Sequence, residues 1–432
     1  MKFNNYVMNR PSRTRNGAHQ DLHSNRIRNL TLTLLNIWIY LGFFRIYIFS
    51  SFAEYLYFLP YFLLLFIIVY AIFVNIFSAK QFLLLLLMNY LGVLFQGLHV
   101  MWGHLNAINA FYGYCLYILP INLLFLIPAL TNASFLARVN RSFMIAIWPN
   151  LAMCIAQTFI ANSPYVKSFT NSASLTTHDG FARAYGVFSA PAGLSLYISV
   201  VTAITISNIS SQSKILLFIN FTSITTLYLL SGSRLVYFNL LIVLFFVFLK
   251  NRAKLSLIIS TVLLISASPL LLKLLLSLEY GPITAFYQRI IDTSRNEDTL
   301  QRLWSSFFGF HDFLDQSLIG KGFGSFAIGT VGYSNSSNWI ENDLSRNIAE
   351  SGTIIGVIWI LMRISFALIS LSIFLKSKSK YSLFLFSSIF YNLLFGPISG
   401  QSTISLGCWL AITFAFAVHR KEGNSTIPIP KD

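Results

Sequence analysis

Charged residues are scarce in this chain, and acidic residues are the scarcest. Only 10% of the 432 residues are charged, with 14 Asp and Glu against 30 Lys and Arg, whereas 55% are hydrophobic. So few charges cannot cover the surface of a water-soluble protein of this length. The composition therefore excludes a soluble globular protein and indicates an integral membrane protein.

Disulfide and metal-binding patterns are also missing. The three cysteines, Cys115, Cys154 and Cys408, lie inside apolar runs without ligand-like spacing, so we expect them to pack in the interior. There is no Asp-x-Asp motif, and we predict neither a metal site nor a cofactor. The stretch from Gly320 to Gly324 lacks the Lys-Ser/Thr that completes a phosphate-binding loop, and we interpret it as a tight turn.

Long apolar runs make up most of the chain. Since roughly 20 apolar residues cross a bilayer as a helix, the runs predict an all-α polytopic membrane protein with about 12 transmembrane helices. The predicted organisation places a large loop before the last three helices. Its parts are a disordered basic tail at 1–29, transmembrane helices one to nine at 30–278, the loop at 279–350, the last three helices at 351–418 and a tail at 419–432.

Basic residues indicate which way the chain is inserted. Most Lys and Arg fall in the tails and in the short connections of one face, which the positive-inside rule assigns to the cytoplasm. We therefore predict that both termini are cytoplasmic and that loop 279–350 is extracytoplasmic. The net charge of +16 then reflects topology and contact with anionic lipid head groups, not nucleic-acid binding. The basic residues left on the outer face are Lys167, Arg183, Arg234, Arg289, Arg295, Arg302, Lys321 and Arg346.

Two of these outer arginines stand at membrane boundaries beside small residues. Arg183 lies where a polar loop re-enters an apolar run, and Arg234 ends the tight turn Ser231-Gly-Ser-Arg. A guanidinium held there offers fixed donors that suit a phosphate or pyrophosphate. The alternative is that each arginine extends to a lipid phosphate.

The loop 279–350 carries two further patterns. Near its end, Asp343, Arg346 and Glu350 would share one face of a helix, where they form either a self-satisfied ion-pair ladder or a site whose carboxylates act as a general base. Glu341 lies off that face and is the better candidate base. Earlier in the loop, apolar residues at helical spacing predict an amphipathic helix on the membrane surface; these are Leu300, Leu303, Trp304, Phe307, Phe310 and Leu314.

Three patches, in this order, resemble the signatures of the O-antigen polymerases and O-antigen ligases (Wzy-type and WaaL-type). The first signature is 183–191, the second is 231–234, and the third pairs 318–324 with 350–356. The resemblance covers about residues 80–415 and implies a membrane glycosyltransferase fold. It also implies a polyprenyl-pyrophosphate-linked glycan donor, no nucleotide sugar, and a place in the bacterial cytoplasmic (inner) membrane.

The resemblance also implies roles for individual residues. Ligase-like members carry His-Asn nine residues before the Glu of the third signature, where this chain has Glu341-Asn342. That difference favours a polymerase of lipopolysaccharide O-antigen or an exopolysaccharide over a ligase. The implied pyrophosphate-binding residues are Arg183, Arg234, Arg289, Arg295, Arg302 and Arg346, and the candidate catalytic residues are Glu341, Asp343 and Glu350.

A transporter or flippase of lipid-linked oligosaccharide is the main alternative from another class, since twelve spans suit it equally. It predicts ionisable residues near the middle of spans. Arg45, Glu54, Lys273 and Arg363 are the few such residues, and we place them mostly toward span ends. The partners implied are the polyprenyl-pyrophosphate-linked oligosaccharide and membrane lipids, with a chain-length regulator and a flippase as protein partners and no nucleic acid.

Overall fold

The computed structural model describes residues 15–48, 53–159, 184–188, 191–207, 213–231, 318–326, 343–376, 393 and 402–425. These residues are mostly helical, and none of them lies in a strand. The all-α class predicted from the sequence therefore holds for this part of the chain. The elements are α1 (Arg15–Phe43), a π-helical turn (Phe44–Ile48), α2 (Ala53–Leu56), α3 (Leu59–Phe73), α4 (Ala79–Met101), α5 (Ala107–Tyr117), a 3-10 segment (Leu119–Leu126), α6 (Ile127–Leu130), α7 (Ala133–Ile145), α8 (Ile147–Phe159), α9 (Pro191–Ser207), α10 (Lys214–Ser231), α11 (Asp343–Lys376) and α12 (Ser402–Ser425).

Several of these helices have the length and composition of membrane spans. Within the described ranges, three helical stretches are long and apolar enough to cross a membrane: Ala79–Met101, Ala107–Leu130 and Asp343–Leu375. Shorter apolar helices accompany them at Leu59–Phe73, Pro191–Ile206, Lys214–Tyr228 and Ile404–Arg420. This arrangement fits an all-α membrane protein. The count of about twelve spans stays a prediction.

Helix α1 begins inside the segment predicted to be a disordered tail. Residues 15–29 form its first turns, and Ile27 is fully buried. The Nε of Arg28 donates to the carbonyl oxygen of Ala129 over 2.7 Å, at the C-terminal end of α6, where carbonyl groups have no intrahelical partner. Residues 15–29 are therefore helical here, where the sequence predicts a disordered tail, and residues 1–14 lie outside the described ranges.

Proline begins several of the helices. Pro60, Pro120 and Pro128 occupy the first positions of α3, the 3-10 segment and α6, and Pro191 is the first residue of α9. The missing N–H of proline is harmless there, because the first N–H groups of a helix have no intrahelical acceptor. Prolines therefore divide the apolar stretch Ala107–Leu130 into α5, the 3-10 segment and α6.

Helix α12 lies at the centre of the described bundle. It packs against α1, α5, α6, α9 and the 3-10 segment, and its Trp409 is fully buried. The Oγ of Ser405 donates to the carbonyl oxygen of Leu116 over 2.7 Å, which ties α12 to α5. The expectation that the cysteines are packing residues is confirmed, since all three are buried free thiols.

Candidate functional site

Helix α11 is folded back on itself at Gly352. This glycine has φ 79° and ψ 169°, a backbone conformation that glycine alone adopts without strain. Asp343 and Arg363 form an ion pair across the bend, although a straight helix would separate residues twenty positions apart by about 30 Å. We call residues 343–351 the short arm of α11 and residues 353–376 the long arm.

The two arms touch along their length. A Cβ on Gly356 in the long arm would lie 2.7 Å from the Cα of Ile348 in the short arm, so the glycine is needed for the close approach. The inward face of the long arm is a helical stripe that includes Trp359, Arg363 and Ala367, all buried. Its outward face exposes large apolar side chains that suit lipid contact: Ile354, Ile358, Leu361, Leu368 and Leu375.

A buried charge cluster joins the two arms, and we call Asp343, Arg346 and Arg363 the charge cluster. Oδ1 of Asp343 accepts from Nη2 of Arg346, and its Oδ2 accepts from Nη1 of Arg363. Each of the three side chains is at most 2% exposed. The Nε of Arg363 also donates to the carbonyl oxygen of Leu393 over 2.7 Å. The Asp343–Arg346 pair of the predicted ion-pair ladder is therefore observed. Arg363 joins it as a further member that the sequence pattern did not identify.

Arg363 is the member that the sequence reasoning missed. The sequence analysis places Arg363 among residues that lie mostly toward span ends. That placement is wrong, because the long arm has ten residues before Arg363 and thirteen after it. The carboxylate that pairs with Arg363 lies across the chain reversal, so the sequence pattern does not show the pair. The only available signal was the presence of an arginine in the middle of an apolar stretch, which is costly unless a partner lies nearby.

Glu350 holds the segment 318–326, which we call the glycine loop. Its Oε2 accepts from the N–H of Gly324 over 2.9 Å and its Oε1 from the N–H of Phe326 over 2.8 Å. Its backbone carbonyl oxygen accepts from the N–H of Gly322 over 2.7 Å. The two halves of the third signature, separated in sequence, are therefore in direct contact. Glu350 is fully buried.

The glycine loop also contacts α4 and α5. Gln96 of α4 accepts from the N–H of Phe323 over 3.1 Å and donates to its carbonyl oxygen over 3.0 Å. The ring of Phe323 stacks on Tyr117 with centroids 4.4 Å apart, and Tyr117 donates to Oδ1 of Asn347 in the short arm over 2.9 Å. A Cβ on Gly324 would lie 2.9 Å from the Cα of Gly113. The loop thus packs α4, α5 and α11 together.

Two arginines from distant parts of the chain approach one tyrosine pair. The hydroxyl groups of Tyr57 and Tyr112 are 2.5 Å apart. The guanidinium of Arg45 lies 4.6 Å from the centre of the Tyr57 ring, in the range of a cation–π contact, and Arg346 interacts electrostatically with Tyr112. Arg45 therefore contacts one tyrosine of the pair, and Arg346 lies within electrostatic range of the other.

The described part of the first signature reaches the same region. Oε1 of Gln157 accepts from the N–H groups of Tyr185 and Gly186 over 2.9 and 3.0 Å. The N–H of Phe43, two residues before Arg45, donates to the carbonyl oxygen of Val187 over 2.8 Å. The chain that follows Arg183 is thus fixed against the C-terminal end of α1.

The structure brings three of the predicted site residues together: Asp343, Arg346 and Glu350 share the buried short arm. The other predicted site residues lie outside the described ranges, as does the predicted surface helix 300–314. They are Glu341, Arg183, Arg234, Arg289, Arg295 and Arg302. Of the second signature, only Ser231 is described, as the buried last residue of α10. Among the described residues, no group of three or more His, Cys, Asp or Glu could hold a metal ion.

Comparison of the chain with family models, with curated proteins and with solved structures finds no match in any of the three.

Proposed function

We propose that this chain is a glycosyltransferase that polymerises polyprenyl-pyrophosphate-linked oligosaccharide repeat units into O-antigen or another surface polysaccharide. The reaction would take place at the outer face of the cytoplasmic membrane. The observation that carries the proposal is the contact between Glu350 and the glycine loop, beside the buried Arg346. Two distant halves of one signature meet there, and the described end of the first signature lies against α1 nearby.

The chemistry of such a transfer matches the charges in this region. The anomeric C–O bond to the pyrophosphate breaks as a sugar hydroxyl of the acceptor forms the new glycosidic bond. The departing pyrophosphate gains negative charge, which preorganised guanidinium donors in a dehydrated site stabilise strongly. Arg346 is such a donor, and Arg183 and Arg234 are assigned the same role by the proposal. A carboxylate removes the proton of the attacking hydroxyl.

Glu341 is our choice for that base. Both carboxylate oxygens of Asp343 accept from arginines, and both oxygens of Glu350 accept from backbone amides. Contacts of this kind fix the position of a carboxylate and direct its oxygens at donors within the protein. We therefore assign Asp343 and Glu350 supporting roles within the site, and the sequence position of Glu341, next to the short arm, makes it the carboxylate for proton removal.

Replacing Glu341 by glutamine should therefore impair transfer more than replacing Asp343 by asparagine. A glutamine cannot accept the proton, so we expect a loss in turnover of roughly a hundredfold for Glu341→Gln. Asp343→Asn keeps an acceptor oxygen toward one arginine and should lose less turnover per folded molecule, although it lowers stability because two buried arginines lose their anion. Turnover of both purified variants, measured below their unfolding midpoints and normalised to folded protein, decides the order. Equal activity of both variants with wild type would remove Glu341 as the base.

The arginine of the second signature offers a separate test. Arg234→Lys keeps the charge but loses the planar fork that binds a phosphate with two hydrogen bonds, so polymer length should fall sharply, with turnover reduced roughly tenfold. Arg138→Lys on the exposed face of α7 is the matched control and should make wild-type polymer. Gel analysis of the polysaccharide, at equal protein in the membrane, measures both. Wild-type polymer from Arg234→Lys would contradict pyrophosphate binding by Arg234.

The deciding experiment for the proposed function uses purified protein and polyprenyl-pyrophosphate oligosaccharide alone. A ladder of products longer than one repeat unit supports a polymerase. Transfer that requires an added lipid core, with no ladder, supports a ligase. Absence of any new glycosidic bond would contradict both enzymes.

A flippase or transporter of lipid-linked oligosaccharide is the second candidate, and the charge cluster is the observation that favours it. Arg363 stands in the middle of the long arm and is buried, which matches the expectation that transporters carry ionisable residues near mid-span. Proteoliposomes separate the two functions. Movement of a labelled lipid-linked oligosaccharide between leaflets without bond formation supports the flippase, whereas bond formation by protein in detergent does not require movement.

A further inference from the structure

We infer that Arg363 is a positioning residue, which acts through Asp343 to orient Arg346 toward the substrate pyrophosphate. This inference rests on the proposed function. Arg363 does not share the short arm with the predicted site residues, but its Nη1 and the Nη2 of Arg346 take different oxygens of the same carboxylate. The carboxylate of Asp343 therefore positions the guanidinium groups of both Arg346 and Arg363.

Arg363 lies well inside the apolar long arm, where a charged side chain needs a partner within the protein. It lies ten residues after Thr353, which corresponds to about 15 Å along the apolar long arm. A charged side chain at that depth is expensive and is kept where it pairs within the protein. Arg363 meets that condition by facing inward, where it pairs with Asp343 and bonds to the carbonyl of Leu393.

Stability alone does not account for such an arrangement. Well-packed apolar side chains of similar volume stabilise a buried site as well as an ion pair does, or better. What the ion pair adds is a fixed direction. With Arg363 on Oδ2, Asp343 presents Oδ1 to Arg346, so the guanidinium of Arg346 is held in one orientation beside Tyr117 and Glu350, with which it interacts electrostatically.

Loss of Arg363 changes that orientation. Asp343 is then able to turn both oxygens toward Arg346 and form the bidentate pair that arginine and carboxylate favour. Arg346 would be drawn toward Asp343 and away from the position that serves a bound pyrophosphate. The expected consequence is weaker binding of the donor, with less effect on the rate of bond formation, since the base is untouched.

The test compares Arg363→Lys and Arg363→Gln with the exposed control Arg138→Gln. In the purified protein we expect the KM for the donor to rise roughly tenfold in Arg363→Lys and more in Arg363→Gln, with kcat within about twofold of wild type. The midpoint of thermal unfolding should fall in both variants, because neither lysine nor glutamine can keep both the contact with Asp343 and the bond to the carbonyl oxygen of Leu393, so KM is measured well below that midpoint. Arg138→Gln should leave all three measurements unchanged. An unchanged KM in Arg363→Lys and Arg363→Gln would overturn the inference.

A double variant separates positioning from independent binding. If Arg363 acts through Arg346, Arg363→Lys should add little to the rise in KM already caused by Arg346→Lys, so the two effects are not additive. Additive effects would overturn the inference while leaving the proposed function in place.

A binding experiment separates failure of the inference from failure of the proposed function. Titration of the protein with polyprenyl pyrophosphate alone, followed by the intrinsic fluorescence of the protein, gives the Kd of this ligand without catalysis. A wild-type protein that binds but does not polymerise removes the proposed function and still tests Arg363 by Kd. A wild-type protein that does neither removes both.

Discussion

Replacing Gly352 with alanine should separate the two arms of α11 and abolish the proposed polymerisation. A Cβ at this position would lie within 2.5 Å of the carbonyl carbons of Leu318 and Ile319, both in the glycine loop, which cannot move without losing its bonds to Glu350. The backbone conformation adds a strain of about 1–3 kcal/mol for any residue with a side chain. We expect the thermal unfolding midpoint of the purified protein to fall steeply and polymer to disappear.

Alanine substitutions at two other glycines separate the steric contact of the added Cβ from the strain of the backbone conformation. Gly103 has φ 71° but nothing within 4 Å of an added Cβ, so Gly103→Ala measures backbone strain alone, about 1–2 kcal/mol. Gly97 also has open space and lies inside α4 with ordinary helical geometry, so Gly97→Ala should keep or slightly raise the unfolding midpoint. If Gly352→Ala behaved like Gly97→Ala, the chain reversal at Gly352 would not be needed for the fold.

The sequence predicts the class of this fold well and its divisions less well. Composition and run length are enough to predict an all-α membrane protein, because a long apolar run can satisfy all its backbone groups within its own segment only as a helix. Ala107–Leu130 is one apolar stretch long enough to cross a membrane, and Pro120 and Pro128 start new helical segments within it. Helix propensity and hydropathy do not distinguish a proline that kinks a helix from one that begins the next.

In the candidate site, contacts between residues close in sequence were predictable, whereas contacts between distant residues were not. Asp343, Arg346 and Glu350 were placed on one helical face because spacings of three and four residues are local, and the pair Asp343–Arg346 follows from that spacing. The contribution of Arg363 was not predictable, because the chain reversal at Gly352 brings it to Asp343. Gln96 was missed for the same reason, since its partner Phe323 is 227 positions away and the side chain lies in an apolar run.

Chain reversal also changes how the third signature is understood. Read as sequence, it is two glycine-containing stretches with a carboxylate. In the structure, Glu350 replaces water as the acceptor for two backbone amides of the glycine loop, and Gly352 turns the chain immediately afterwards. The carboxylate and the glycine therefore act on the same loop, which lies over α4 and α5. This explains why a residue predicted as catalytic has both oxygens directed at the backbone.

Replacing Glu350 with glutamine should therefore release the glycine loop as well as reduce activity. One carboxylate oxygen becomes an NH₂ group that faces the N–H of Gly324 or Phe326, and a buried donor left without an acceptor costs about 1–3 kcal/mol. Unlike Glu341→Gln, which should lose turnover at wild-type stability, Glu350→Gln should lose both. Thermal unfolding in detergent compares the two variants directly.

Trypsin gives a local readout of the same change. Lys321 has an exposed side chain, but its N–H donates to the carbonyl oxygen of Glu350 over 3.1 Å, so the bond after it should resist cleavage while the glycine loop is held. We expect cleavage between Lys321 and Gly322 to be much faster in Glu350→Gln than in wild type or Glu341→Gln, as measured by mass spectrometry of the fragments. Wild-type stability and protection in a Glu350→Gln protein without turnover would contradict the loop-holding role, and would instead place the Glu350 carboxylate in contact with the substrate.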